Sequence, residues 1–264
     1  MSEIKLIASD LDGTLLLNGA QSLREDTCDY IEKLLKQKGI IFFAASGRQY
    51  YSLRRLFEPI KEKIGFLCEN GCVNYYEGKQ LFKEVLNREL SLELINEVLK
   101  REKCEVMVSG AEVVYLKPKN MQFYYYMRDF IKFKVELVED MSKINEDFMK
   151  VSIYEEGAVN EETVKYFHEK YNSKCTVVTS GNEWLDMIPK NVNKGSALKK
   201  ILEYLGISPE NCMAIGDSDN DIEMLKLVKY PVTVESANSE IKAYTKIITD
   251  NVENLFKKIL SGDF

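Results

Sequence analysis

The sequence predicts an α/β protein, a parallel-sheet core carrying an α+β insert. Two observations predict it. Toward both ends of the chain, short apolar runs that stop at acidic, hydroxyl or glycine loops alternate with helix-period segments. Between them, residues 84–187 lose that alternation and mix hairpin-like strands with amphipathic helices.

Residues 5–9 (Lys-Leu-Ile-Ala-Ser) form the first buried strand, ending at Asp10. Ser22-Leu23-Arg24-Glu25 has capping-box spacing before Ile31, Leu34 and Leu35, and Gly39 stops that helix. The apolar run 40–45 is the second strand, ending at Ser46-Gly47-Arg48. A helix over 49–57 follows and stops near Pro59. Residues 65–68 are a third strand, ending at Glu69-Asn70-Gly71. The insert reads as a helix over 91–101 and a hairpin of 105–108 with 112–116 through Ser109-Gly110-Ala111. A helix from Pro118 to about 131 follows, then strands at 135–138, 148–154, 174–179 and 184–187. A helix over 163–171, capped by Asn160, lies among those strands. The core grammar then returns: helix 194–205 closed by Gly206, strand 212–215, helix 223–227, strand 231–234, and helices 241–244 and 252–260. No long linker or internal repeat occurs, so the two crossings fall near 82–86 and 186–191.

The 264 residues are 45% hydrophobic and 30% charged with only 5 Pro, which excludes a disordered or low-complexity chain. The net charge of −6 argues against general nucleic-acid binding and against a cationic membrane face. No apolar run reaches membrane-spanning length and no secretory signal opens the chain, so a cytoplasmic location is expected. Six scattered cysteines (28, 68, 72, 104, 175 and 212) read as reduced thiols packed as small hydrophobes. A single histidine, His168, sits in a charged helical stretch. Histidine-based triads are therefore unsuited to this chain, and carboxylates, lysine or a metal must carry any chemistry.

Four clusters supply those groups. Asp10-Leu11-Asp12-Gly13-Thr14-Leu15 places two carboxylates two residues apart at a strand end, one suited to nucleophile or metal ligand and the other to proton transfer. A calcium loop would need Asp or Asn at the fifth position and Glu at the twelfth; Thr14 and Gln21 stand there. Gly216-Asp217-Ser218-Asp219-Asn220-Asp221 is a hard-cation pattern at another strand end, although acids also favour a helix N-terminus for its dipole alone. Ser46-Gly47 offers a hydroxyl and backbone N–H groups for phosphate, or merely a helix cap. Asn193-Lys194-Gly195 puts a cation at a helix start, where the dipole disfavours it unless an anion sits nearby. Ligands of open parallel sheets bind at the carboxyl ends of strands, so the four together describe one cleft suited to phosphoryl transfer.

In this order the motifs resemble those of the haloacid dehalogenase-like superfamily, specifically the Cof-type phosphatases with a large α/β cap (class IIB), and the resemblance spans the chain. It implies a Rossmann-like, doubly wound catalytic core over residues 1–84 and 188–264, with 85–187 as the cap that sets specificity. It also implies a Mg²⁺-dependent phosphomonoester hydrolase acting on a small phosphorylated metabolite. A sugar phosphate is the first choice, with nucleotide, flavin mononucleotide or pyridoxal phosphate behind it. Asp10 matches the family nucleophile and Asp12 the general acid/base. Asp10, the Asp12 carbonyl and Asp217 match the metal ligands, with Asp221 as outer-shell support. The Leu11 N–H, Ser46, Gly47 and Asn220 match phosphate contacts, and Lys194 matches the charge-balancing lysine. The same groups would serve a phosphomutase or phosphotransferase, or a non-catalytic phosphometabolite-binding module.

Two segments depart from the family pattern. Residues 229–238 are bulkier than the usual Gly-rich stretch and add Glu235, and 250–254 (Asp-Asn-Val-Glu-Asn) lacks the usual glycine. Tyr124-Tyr125-Tyr126 and Trp184 read first as cap packing, and Glu69-Asn70-Gly71 as a tight turn or a wall of the cleft.

Overall fold

The computed structural model describes residues 4–110, 112–180 and 182–264. It begins with β1 (Leu6–Asp10), α1 (Thr27–Lys38), β2 (Ile41–Ala45), α2 (Tyr50–Leu56), β3 (Gly65–Cys68), β4 (Val73–Tyr76) and β5 (Lys79–Lys83). Then come α3 (Arg88–Leu99), β6 (Glu105–Ser109), β7 (Val114–Leu116), α4 (Met121–Tyr125), β8 (Val135–Leu137), β9 (Lys150–Tyr154), α5 (Glu161–Tyr171), β10 (Thr176–Thr179) and β11 (Trp184–Ile188). The chain closes with α6 (Lys194–Leu205), β12 (Cys212–Ile215), α7 (Ile222–Leu227), β13 (Tyr230–Val234), α8 (Ser239–Lys242), β14 (Ile247–Thr249) and α9 (Val252–Ser261).

Two sheets result. The first has the order β14-β13-β12-β1-β2-β3-β4-β5, and the second β10-β11-β9-β6-β7-β8. From β14 to β3 every pairing in the first sheet is parallel, which requires crossover connections and buries both faces. That is why β1, β2 and β3 are continuously apolar and almost wholly buried. Tight packing shows at Gly65, where a Cβ would lie 2.1 Å from the Phe43 ring on the neighbouring strand.

The inserted sheet obeys the two-residue period. Val106, Val108, Val151, Ile153, Leu185 and Met187 face one way and pack with Leu94, Val98, Phe167 and Tyr171 of α3 and α5. The residues between them, including Met107, Lys150, Ser152 and Asp186, face the edge of the first sheet where its parallel strands end. Part of that face is roofed by α4, through Phe123 and Met127. The fold is therefore the expected α/β core with an inserted α+β cap. Among the described residues, no helix is long and apolar enough to cross a membrane.

Several local expectations are corrected. Ser22 does not cap α1, which starts at Thr27 after a turn in which Thr27 N–H donates to the Arg24 carbonyl. The Thr27 hydroxyl instead ties that start to Glu253 on α9 at 2.6 Å. α3 begins three residues before the expected start, capped by Asn87. Pro118 does not open α4: both oxygens of Glu105 accept the N–H groups of Lys119 and Asn120, each at 2.9 Å, and hold the chain extended until Asn120 caps the helix. α4 then widens into a π turn over Tyr126–Phe130. α8 starts at Ser239, two residues before the expected helix. The β4–β5 hairpin and β14 were not anticipated; β5 is exposed and Lys-rich, so it lacks an apolar signature. Its turn, Glu77-Gly78, takes positive φ at both residues, the geometry of a tight two-residue hairpin. Ala111 of the expected 109–111 turn lies outside the described residues.

Candidate active site

The parallel strands β1, β2, β3 and β12 end on one edge, and each delivers a polar group there. Asp10 is the last residue of β1, Ser46 follows β2, Glu69 follows β3, and Asp217 lies two residues beyond β12. Lys194 enters from the first turn of α6, where the Asn193–Ser196 capping box fixes the helix start. Gly195 makes that approach possible: a Cβ there would lie 2.4 Å from the backbone carbonyl carbon of Glu223. Gly195→Ala is expected to destabilise the protein by about 1–3 kcal/mol through overpacking and to lower activity by displacing Lys194, as read by thermal melting and kinetics.

Lys194 is fully buried, with Nζ 2.5 Å from Asp10 Oδ1 and 2.7 Å from Asp221 Oδ1. The other Asp221 oxygen accepts the backbone N–H groups of Asp217 and Ser218, both at 3.0 Å. Asp221 thereby acts as the strut of the acidic loop. Asp217 accepts from the Thr14 hydroxyl at 2.5 Å and from the Ser218 hydroxyl at 3.1 Å. The loop after β1 reaches Asp217 only through Gly13, whose φ is +90° and whose absent Cβ would fall 2.3 Å from Asp217 Oδ2.

Electrostatics follow from three carboxylates around one ammonium. Burial, then the charge of Asp221, pushes the Asp10 carboxyl well above its usual range, and Lys194 offsets only part of this. Burial also raises Asp217, against the Thr14 hydrogen bond. Burial alone would lower Lys194, but Asp10 and Asp221 outweigh it and keep the ammonium charged. The site carries an excess of negative charge that a further cation would relieve. Oxygens of Asp10, Asp217 and Asp221 lie within 4.8 Å of one another, a hard-oxygen set that fits a divalent cation such as Mg²⁺.

Asp12 stands apart from these acids. Its exposed carboxylate is held by both arms of Arg48, at 2.9 and 2.5 Å. Ser46 is buried, and its Oγ accepts the Arg48 N–H at 3.1 Å. Leu11 has a fully buried side chain, and its carbonyl accepts from the N–H groups of Thr14 and Leu16, closing the loop. Asn220 donates to Asn70 at 3.0 Å. Asp10, Asp12, Ser46, Gly47 and Asn220 all line one cleft of about 250 Å³, joined by Lys150, Asp186 and Trp184 from the inserted sheet.

The fold brings Asp10, Asp12, Ser46, Gly47 and Asn220 to one cleft and Lys194, Asp217 and Asp221 around Asp10, and it adds residues that the sequence does not single out. Arg48 and Thr14 sat inside quoted motifs without a role. Lys150 and Asp186 went unnoticed, although Lys150-Val-Ser-Ile and Trp184-Leu-Asp-Met alternate polar with apolar residues, the mark of a strand whose second face meets something polar. Tyr124, Tyr125 and Tyr126 do not line the cleft; Tyr126 stacks on Phe130. The atypical segments serve the scaffold. Glu235 N–H donates to Thr249 on β14, and Asn251 caps α9.

Comparison with known proteins agrees with this geometry. The profile of haloacid dehalogenase-like hydrolases matches residues 7–255. A 5-amino-6-(5-phospho-D-ribitylamino)uracil phosphatase of Escherichia coli K12 is 29% identical over 243 residues, covering 92% of this chain and 89% of that protein. Phosphoglycolate phosphatase 1 of Saccharolobus solfataricus is 27% identical over 269 residues, covering 99% and 98%. The crystal structure of SMU.1108c from Streptococcus mutans superposes with a TM-score of 0.87 at 28% identity, covering 98% of this chain and all of that one. The chain belongs to the haloacid dehalogenase-like hydrolases, as a phosphatase whose core carries a large insert.

Proposed function

We propose that the protein is a Mg²⁺-dependent phosphomonoester hydrolase of a small cytoplasmic metabolite, working through an aspartyl-phosphate on Asp10. The observation that carries this is the buried Lys194 ammonium shared by Asp10 and Asp221, with Asp217 beside them and Ser46 on the cleft that Asp10 lines. Residues 1–84 and 188–264 form the catalytic core and 85–187 the cap. An oxygen of Asp10 attacks phosphorus, the ester P–O bond breaks, and Asp12 protonates the departing alcohol. Asp12 then takes a proton from water as that water attacks the phosphoryl group, releasing phosphate and restoring Asp10. Lys194 balances charge on Asp10 and on the phosphoryl oxygens, and Ser46, Gly47, Asn220 and the Leu11 N–H bind those oxygens. Asp10, the Asp12 carbonyl and Asp217 would hold the metal, and Asp221 supports them from behind. When bound, the cation neutralises developing charge on the transferring group. Arg48 engages both Asp12 oxygens in the structure, and that pair opens for Asp12 to carry a proton to the leaving group.

A sugar phosphate, the first choice from sequence, suits the polar groups of Arg48, Ser180 and Ser218 on the cleft wall. The opposite wall of Met107, Met127, Ile131, Phe133 and Trp184 favours a leaving group that also presents a flat apolar face, as nucleotides, flavin mononucleotide and pyridoxal phosphate do. Phosphate release from a panel of such esters, with Mg²⁺ and with chelator, tests the reading. Release without an added acceptor is expected; its absence from every ester would favour a mutase or a binding module. Asp217→Ala is expected to cut activity by about 10²-fold or more and to raise the Mg²⁺ concentration needed for half-maximal rate. An unchanged metal response would place the metal elsewhere.

A further inference from the structure

The proposed mechanism leaves one buried cation unused. Lys150 opens β9 of the inserted sheet, is 3% exposed, and crosses to the core. Its Nζ lies 2.7 Å from Glu69 Oε2, donates to the Gly47 carbonyl at 2.9 Å, and faces Asp186 Oδ2 at 3.4 Å. Three protein oxygens thus surround the ammonium, Gly47 and Asp186 as hydrogen-bond acceptors and Glu69 as its ion pair. The Gly47–Arg48 peptide is fixed at both ends, its carbonyl by Lys150 and its N–H by Ser46 Oγ. With Ser46 Oγ accepting from the backbone, its own proton is directed away from that bond.

Asp186 repeats the pattern beside it. It accepts from Ser152 at 2.6 Å and from Ser180 and Asn70, each at 3.0 Å. Asn70 in turn accepts from Asn220 of the acidic loop and packs on Gly47, where a Cβ would meet its side chain at 3.2 Å. The turn that presents Glu69 and Asn70 takes left-handed φ values of +51° and +56°, followed by Gly71 at +106°. Two consecutive non-glycine residues in that region persist only where the surroundings over-determine them, and such strain concentrates at functional sites.

We propose that Lys150 and Asp186 are positioning residues for phosphate binding, holding Gly47, Ser46 and Asn220 in their binding arrangement through contacts that exist only while the inserted sheet lies on the catalytic edge. The inference rests on the phosphatase reading and adds a condition to it: phosphate is bound in full only with the cap in place. A bare phosphate should then feel the loss of Lys150 through the displaced Gly47 and Ser46.

The test compares wild type with Lys150→Met. The readouts are kcat and KM for p-nitrophenyl phosphate and for the best ester of the panel, and competitive inhibition by inorganic phosphate, all with Mg²⁺. Removing Lys150 alone leaves Glu69 and Asp186 facing each other. The pair Lys150→Met with Glu69→Gln keeps the local net charge and carries the test if the single variant fails to fold. Misplacing a phosphate cradle by about 1 Å costs about 10²-fold, so kcat should fall by about that factor with both esters. Phosphate inhibition should weaken about tenfold. Unchanged kcat and phosphate affinity with a lowered melting temperature would overturn the proposal, leaving Lys150 as a structural pin. A loss confined to the KM of the larger ester would also overturn it, by making Lys150 a leaving-group contact. Wild-type turnover separates the two levels: an inactive wild type refutes the phosphatase reading, whereas an active wild type with an unaffected variant refutes only the positioning role.

Discussion

Asp10→Asn is expected to abolish turnover, with a fall of about 10⁴-fold or more in kcat, while the protein stays folded and melts no lower than wild type. The kinetic part holds because an amide cannot act as the nucleophile that accepts the phosphoryl group. The stability part comes from crowding. Asp10 is buried beside Asp221 and Asp217, and its carboxyl is pushed well above the usual range by burial and then by Asp221. An acid whose folded pKa is raised loses stability as pH climbs from its unfolded value toward the folded one. At neutral pH the charged form is therefore a burden, and the neutral amide removes it, while Lys194 keeps Asp221 as partner. Kinetics together with a melting curve separate this from simple unfolding, which would lower both.

Lys194→Met should have the largest effect on stability. Lys194 is 0% exposed and pairs with Asp10 and Asp221. Without it, the buried acids keep their mutual repulsion and lose the opposing charge of the ammonium, a change that typically costs about 3–5 kcal/mol. The ammonium's folded pKa is raised, so its contribution is fully present below the usual lysine value and is lost only as pH rises through the folded one. Wild type therefore holds this stabilisation at pH 5 and at pH 8. In the variant the Asp10 carboxyl, pushed up by burial and by Asp221 and no longer opposed by Lys194, takes up a proton on acidification, so the deficit should be smaller at pH 5 than at pH 8. Added Mg²⁺ should recover part of the deficit by binding the folded state. A deficit independent of both pH and Mg²⁺ would show that packing, not charge, is what the methionine disturbs.

The catalytic half of the molecule was legible because its physics is local. A parallel sheet buries both faces, so each strand is an apolar run, and the first polar residues after the run stand at the ligand-binding edge. Asp10, Ser46 and Asp217 could be placed together on that basis alone, and Lys194 was betrayed by a charge at the unfavourable end of a helix. The family resemblance then supplied roles. The features that stayed hidden depend on contacts between distant segments. Lys150 meets Gly47 103 residues away, and Asp186 meets Asn70 116 residues away. Strand alternation shows that one face is polar but not what that face meets. Arg48 was in view as a residue of the phosphate loop, but only folding turns its side chain back onto Asp12. Two of the errors in helix starts share a cause: at 22–27 and 118–121, carboxylate and hydroxyl contacts from elsewhere in the chain override the local capping signal. The β4–β5 hairpin was missed because an exposed edge strand carries lysines in place of an apolar pattern, a composition that also discourages edge-to-edge pairing.

The central claim is that a phosphoryl group passes through Asp10. The most direct measurement is to quench the enzyme in acid during turnover of its best ester with Mg²⁺, trap any acyl-phosphate by borohydride reduction, and locate the reduced residue by peptide mass spectrometry. The mechanism predicts reduction at Asp10 alone, dependent on substrate and absent from Asp10→Asn. Trapping at another residue, or Mg²⁺-dependent phosphate release that survives in Asp10→Asn, would contradict it.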